Sequence, residues 1–133
     1  MIYYDSSALL KLVQTERESD DFRRWYDQHR GTDAASSALV RVEVIRAARQ
    51  HDEATEQKAR VVLAGLDLLP VSLGLLDAAA GLPYAVRSLD AIHLASALEI
   101  GAGLEAFVAY DERLLMAAEQ AGLPVASPGL SAA

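Results

Sequence analysis

Four acidic residues far apart in the chain are of a type that could share a divalent cation: Asp5, Glu43, Asp90 and Asp111. Asp5 ends the apolar run Ile2-Tyr3-Tyr4, and Asp111 follows Phe107-Val108-Ala109-Tyr110. Glu43 sits in Leu39-Val40-Arg41-Val42-Glu43-Val44-Ile45, flanked on both sides by β-branched apolar residues. An ionised carboxylate is costly there unless it is paired or binds a cation. Asp90 opens Leu89-Asp90-Ala91-Ile92-His93-Leu94-Ala95-Ser96-Ala97-Leu98, in which Asp90, His93 and Ser96 recur every third residue and share one line of a helix.

Each acid also has an ordinary explanation. Asp5 and Asp111 suit helix N-caps, although Ser6 and Ser7 could cap as well. Glu43 could pair with Arg46 at i+3, and Asp90 could complement a helix dipole. His93 reads either as a satisfied core histidine or as a group that hydrogen-bonds Asp90 and orients it from behind. Taken singly, none of the four decides between structure and chemistry.

Together they say more. Two like charges ~4 Å apart repel by about 4 kcal/mol at an effective dielectric near 20, so gathered carboxylates need a cation or must protonate. An all-oxygen donor set selects a hard ion such as Mg²⁺ or Mn²⁺. Such ions polarise phosphoryl oxygens and activate water, which makes phosphodiester hydrolysis the natural chemistry.

The elements that must position these acids alternate in type. Short β-like runs fall at residues 2–4, 33–36, 66–71, 106–109 and 123–126. Helical patterns fall at residues 7–14, 20–29, 39–50, 53–64, 73–81, 89–100 and 112–120, the last stopped by Gly122-Leu123-Pro124. The helix carrying Asp90 is apolar nearly all round and is expected to be buried. Alternation of this kind predicts an α/β fold with a four- to five-stranded, mainly parallel sheet covered on both faces. Strand carboxyl ends then share one edge, where open α/β sheets place their ligands. One domain is expected over residues 1–126, with residues 127–133 as a short frayed tail.

Composition narrows the remaining choices. A chain of 133 residues buries roughly two-thirds of its unfolded surface, enough for a core without staples. The absence of cysteine excludes a disulfide framework, thiolate metal sites and a cysteine nucleophile. The three histidines, His29, His51 and His93, lack the paired spacing of zinc sites. The start lacks a signal-peptide pattern and no apolar stretch reaches the ~18 residues of a spanning helix, so a cytoplasmic, membrane-free protein is expected. The net charge of −7 sits awkwardly with a phosphate-backbone substrate. Setting the four acids aside leaves 15 of the 19 acidic residues against 12 basic ones, so local arginines and the metal itself must position the substrate.

The chain resembles the PIN-domain ribonucleases, in particular the VapC-type toxins of bacterial toxin-antitoxin pairs. The resemblance is carried by Ile2 to Lys11, by Ser36-Ser37-Ala38-Leu39-Val40-Arg41-Val42-Glu43, by Arg87 to Leu98 and by Phe107 to Leu114, in that order and spacing. It implies a three-layer α/β/α fold and a Mg²⁺- or Mn²⁺-dependent ribonuclease whose metal-binding acids are Asp5, Glu43, Asp90 and Asp111. Ser7 falls at the family's supporting hydroxyl near the first acid. Many members carry Thr or Ser two residues before the last acid, where this chain has Ala109. The resemblance further implies an RNA substrate, a homodimer and a cognate VapB-type antitoxin that lays a segment across the acidic groove. The expected division of labour has Asp5, Asp90 and Asp111 holding the principal ion, with Glu43 acting through a water or at a second ion. Lys11, Arg87 and Arg113, each close in sequence to an acid, are candidates for flanking phosphates.

Two other enzyme or signalling classes fit less well. A receiver-type domain needs an acceptor Asp after the third strand and a Lys after the fifth, and Leu69-Pro70-Val71-Ser72 and Pro124-Val125-Ala126-Ser127 supply neither. A haloacid-type phosphatase needs a second Asp two residues after Asp5, where Ser7 stands. The alternative that survives is a non-catalytic PIN-like binding module, which Ala109 keeps open and the complete acid set opposes.

Overall fold

The structure is a computed structural model that describes residues 1–130; the final three residues of the expected tail lie outside the described residues. The chain runs β1 (Ile2–Tyr4), α1 (Ser6–Val13), α2 (Ser19–Gln28), β2 (Ala34–Ser37), α3 (Val40–Arg49), α4 (Glu53–Ala64), β3 (Asp67–Leu69), α5 (Leu73–Ala80), α6 (Ser88–Ile100), β4 (Ala106–Val108), α7 (Glu112–Gln120) and β5 (Val125–Ala126), with a 3-10 turn at Gly101–Gly103. All five strands are parallel, in the order β3-β2-β1-β4-β5. The helices match the sequence periodicity within a residue or so, whereas β3 and β5 are shorter than their apolar runs. Pro70 ends one of those runs and Pro124 stands just before β5; neither can donate to a ladder.

The period-2 alternation of β1 divides the interior into two cores. Ile2 and Tyr4 face α1–α4, where Leu9, Phe22, Val44 and Leu63 pack. Tyr3 faces the opposite way with Phe107, Leu94 and Leu114, against α6 and α7. Its ring stacks on that of Phe107 from the neighbouring strand, with centroids 5.5 Å apart. Full burial of such side chains contributes roughly 1.5–3 kcal/mol each before entropy is counted.

Strand order decides where a ligand can sit. From β1 the chain steps outward through β2 and β3, then crosses back to β4 and β5, so the direction of winding reverses between β1 and β4. Crossover helices leave these two strands on opposite faces of the sheet and open a crevice at their carboxyl ends. Asp5 and Asp111 sit just beyond those two ends.

Two expectations change. Residues 127–130 are not frayed: the Tyr110 hydroxyl donates to the Pro128 carbonyl at 2.6 Å. Gly129, at φ +87°, lies so close to α2 that a Cβ there would stand 2.7 Å from the Asp21 Cβ. The helix α6 is buried only in its middle, from His93 to Ala97, while Leu89 in its first turn is 48% exposed. That turn opens onto the crevice instead of packing. No helix among the described residues is long and apolar enough to cross a membrane.

Candidate functional site

A cleft of ≈ 610 Å³ at the switch point is lined by Asp5, Ser7, Glu43, Arg87, Asp90 and Asp111, with Tyr110 and the start of α6 completing the wall. All four acids expected from the sequence therefore reach one cavity, delivered by β1, α3, α6 and the end of β4.

Asp5 both caps a helix and faces the cleft. Its Oδ1 accepts from the Ala8 amide at 2.9 Å and from the Ser7 hydroxyl at 2.7 Å. One oxygen thus takes both bonds. Asp111 does likewise: Oδ1 accepts from the Leu114 amide at 2.9 Å, and Oδ2 turns toward Arg87. Capping and ligation are consequently compatible roles, since a cap occupies one carboxylate oxygen. The Ser7 hydroxyl oxygen also accepts from the Tyr110 amide at 3.1 Å, which ties α1 to the segment presenting Asp111. Ala109, two residues before Asp111, is wholly buried in the core behind the cleft.

Burial sets the electrostatics of Asp5, which is 2% exposed. Desolvation pushes its carboxyl up to about 6, against the opposing pull of His93, Ser7 and the Ala8 amide, with Asp90 adding to the rise. Burial likewise raises Asp90; Arg87 opposes the shift and Asp111 reinforces it. A cleft that disfavours the ionised form of two carboxylates is one in which an added cation would find strong Coulombic reward.

Glu43 and His93 meet in a way the sequence did not suggest. His93 does not bond Asp90, although it lies one helical turn away; its Nε2 stands 2.9 Å from Glu43 Oε1. Its Nδ1 stands 2.7 Å from the Tyr3 hydroxyl. The side-chain direction of α6 carries His93 inward under β1 and β2, while Asp90 stays at the rim. Glu43 accordingly takes His93 as its partner in place of Arg46. Ser96, the third member of the polar line, returns its hydroxyl to the Ile92 carbonyl.

The three candidate cations separate. Arg87 spans Asp90 and Asp111, with N···O distances of 3.4 Å and 3.5 Å. Lys11 is held instead by Glu16 and Glu18 at 3.1 Å and 2.7 Å, and lies over the Tyr110 ring with only 8% of its side chain exposed. Arg113 lines a separate recess with Ala85, Met116 and Gln120. Lys11 thus acts as a buttress behind Tyr110, and its ammonium is already committed.

Among the described residues no three acidic or histidine side chains close tightly enough to enclose an ion. The donor chemistry nevertheless fits a hard divalent cation: four carboxylates, no thiolate, and a histidine turned to Glu43 from behind.

The architecture and cleft are those of a PIN domain, and the family described under that name matches residues 2–120. The chain belongs to the PIN-domain family and, within it, to the VapC-type ribonucleases. It is 45% identical to Ribonuclease VapC47 of Mycobacterium tuberculosis, over 97% of this chain and 98% of that protein. Among solved structures it resembles M. tuberculosis VapC20, a sarcin-ricin-loop-cleaving toxin, with a TM-score of 0.74 at 17% identity, covering 96% of this chain and all of that one. The VapBC2 complex of Rickettsia felis, solved bound to a DNA fragment from its promoter, matches with a TM-score of 0.73 at 13% identity over 96% of this chain and 99% of that one.

Proposed function

We propose that the protein is a divalent-metal-dependent endoribonuclease that serves as the toxin of a toxin-antitoxin pair. The observation that carries this reading is the delivery of Asp5, Glu43, Asp90 and Asp111 to one cleft by four separate elements, in a chain of this family. These four would hold Mg²⁺ or Mn²⁺, which when bound supplies charge for phosphate oxygens and acidity for water.

The remaining chemistry rests on side chains of the chain. Ser7 fixes the Asp5 carboxylate through Oδ1 and keeps the Tyr110 backbone in register with it. Asp111 is fixed through its cap on α7, so both carboxylates are already in place for a cation without reorganising. Arg87 offers a guanidinium at the rim, 76% exposed, that can pass from Asp90 and Asp111 to a phosphate of the RNA strand. Arg113, in the neighbouring recess, is the candidate for a flanking phosphate. The surplus negative charge suits a basic segment of a VapB-type antitoxin, and a homodimer is the expected assembly.

The test is cleavage of a pooled RNA substrate by the purified protein with Mg²⁺ or Mn²⁺ and with EDTA. Cutting that requires the metal and disappears in folded Asp5→Asn supports the reading. Undiminished cutting by that variant, or none by the parent under any metal, sinks it in favour of a binding module.

A further inference from the structure

Behind the cleft, the buried Tyr3 meets one of its acids through His93. Tyr3 and His93 are both completely buried, on β1 and α6, and neither lines the cleft. The Tyr3 hydroxyl, His93 Nδ1, His93 Nε2 and Glu43 Oε1 form one unbroken line of hydrogen bonds, with links of 2.7 Å and 2.9 Å. The rings of Tyr3 and His93 meet edge to face, and Tyr3 is pinned on its other side by its stack on Phe107. The anchor is therefore a ring clamped in the sheet, and the free end is a carboxylate at the cleft.

For a neutral imidazole, donor and acceptor capacity fix the direction of this line. An ionised carboxylate only accepts, so the 2.9 Å contact requires a proton on Nε2. In the neutral ring Nδ1 is then bare and must accept, and the Tyr3 hydroxyl is the donor that faces it. Burial drives the Tyr3 phenol far above its ordinary range, so it keeps that proton. Of the four acids, Glu43 is the one whose hydrogen-bond support comes from a distant buried side chain. Asp5 and Asp111 are fixed by caps, and Asp90 meets the exposed Arg87.

We propose that Tyr3 and His93 are positioning residues that hold Glu43 toward the cleft by locking the His93 tautomer with its proton on Nε2. The proposal rests on the reading of the cleft as a metal-dependent nuclease site, and it assigns to the core, through His93, a task in presenting one of the four acids. Tyr3 supplies the order: without its hydroxyl the ring can exchange tautomers, and the form with Nε2 bare turns a lone pair toward the carboxylate and repels it.

Three measurements on the full chain test this. Nitrogen-15 NMR of the metal-free protein at pH 8 reads the ring directly. A proton on Nε2 of His93 is expected, and a bare Nε2 overturns the proposal whatever the metal chemistry. Mn²⁺ titration by calorimetry then compares His93→Leu, which removes the donor, with His93→Gln, whose amide can donate from the position of Nε2. Loss of outer-sphere support costs roughly 10–100-fold in metal affinity, so His93→Leu should weaken Mn²⁺ at least tenfold while His93→Gln stays within about threefold of the parent. Equal affinity in all three overturns the positioning role. A parent that binds no Mn²⁺ overturns the metal reading of the cleft and this proposal with it. Tyr3→Phe, which keeps the ring and its stack, should lower kcat about tenfold with little change in KM and should show a mixed His93 tautomer. An unmixed Nε2–H tautomer in that variant removes Tyr3 from the assignment.

Discussion

On the β1 side of the cleft, Asp5 is 2% exposed and Glu43 rests on a histidine that solvent does not reach, whereas on the rim Asp90 and Asp111 are spanned by a guanidinium that is 76% exposed. Both sides present two carboxylates, yet they are held by different physics. The buried side relies on direct hydrogen bonds from Ser7, the Ala8 amide and His93, which survive salt and fix geometry. On the rim Asp111 keeps its cap on α7, but what links it to Asp90 is an exposed ion pair with Arg87, of the kind that contributes at most ~1 kcal/mol and gives way to a competing ion or phosphate. Under the proposed reading, a site rigid toward its metal and open toward an exchanging substrate gains from this asymmetry.

The largest effect should come from the buried side. Asp5→Asn keeps a good N-cap but removes a charge, and RNA cleavage should fall at least ~10³-fold, the consequence of losing several kcal/mol of charge stabilisation. Gel or fluorescence assays on the folded variant check this.

The same substitution makes a second, opposite prediction for stability. In the metal-free fold Asp5 holds its proton up to about pH 6, against an ordinary 3.8, so protons favour the folded state. The contribution of this group is full below pH 3.8 and is lost as pH rises through 6, amounting to about 3 kcal/mol at neutral pH. Denaturant unfolding in EDTA should find Asp5→Asn no different from the parent near pH 3 and more stable above pH 6. A flat difference across that range would mean that the carboxylate is solvated after all.

Lys11 and Arg87 sharpen the contrast between a cation in the wall and one at the rim. Lys11→Met leaves the Glu18 carboxylate, 11% exposed, without its partner and should cost about 2–3 kcal/mol of stability. The salt dependence of RNA binding should stay as it was. Arg87→Ala should do the reverse, changing stability by less than ~0.5 kcal/mol and lowering the salt slope of RNA binding by about one. If the two variants exchanged effects, the assignment of Lys11 as buttress and Arg87 as phosphate contact would be reversed.

Much of this was legible in the residues themselves. The helices followed from periodicity and stop signals: Gly122, at φ +87°, terminates α7 where Gly122-Leu123-Pro124 predicts. The parallel sense of the strands followed from alternation, and with it the edge at which the acids gather, whereas the order β3-β2-β1-β4-β5 came only with the fold. Less legible were the short strands, because three-residue parallel strands such as β3 take their stability from neighbours in the sheet, and the packed turn at residues 127–130, whose partners Tyr110 and α2 lie far away in sequence.

The sequence by itself determined which groups could do chemistry, since residue type fixes charge, donor capacity and hardness, and local pattern fixes which element carries each. Only the tertiary structure decided who meets whom. His93 is one turn from Asp90 and 50 residues from Glu43, yet the packing of α6 beneath β1 and β2 gives it to Glu43. Lys11 is six residues from Asp5, yet it turns away to Glu16 and Glu18. Spacing along one helix constrains which way a side chain points, but the partner it finds there is supplied by chain that arrives from elsewhere, and burial then sets the strength of the contact.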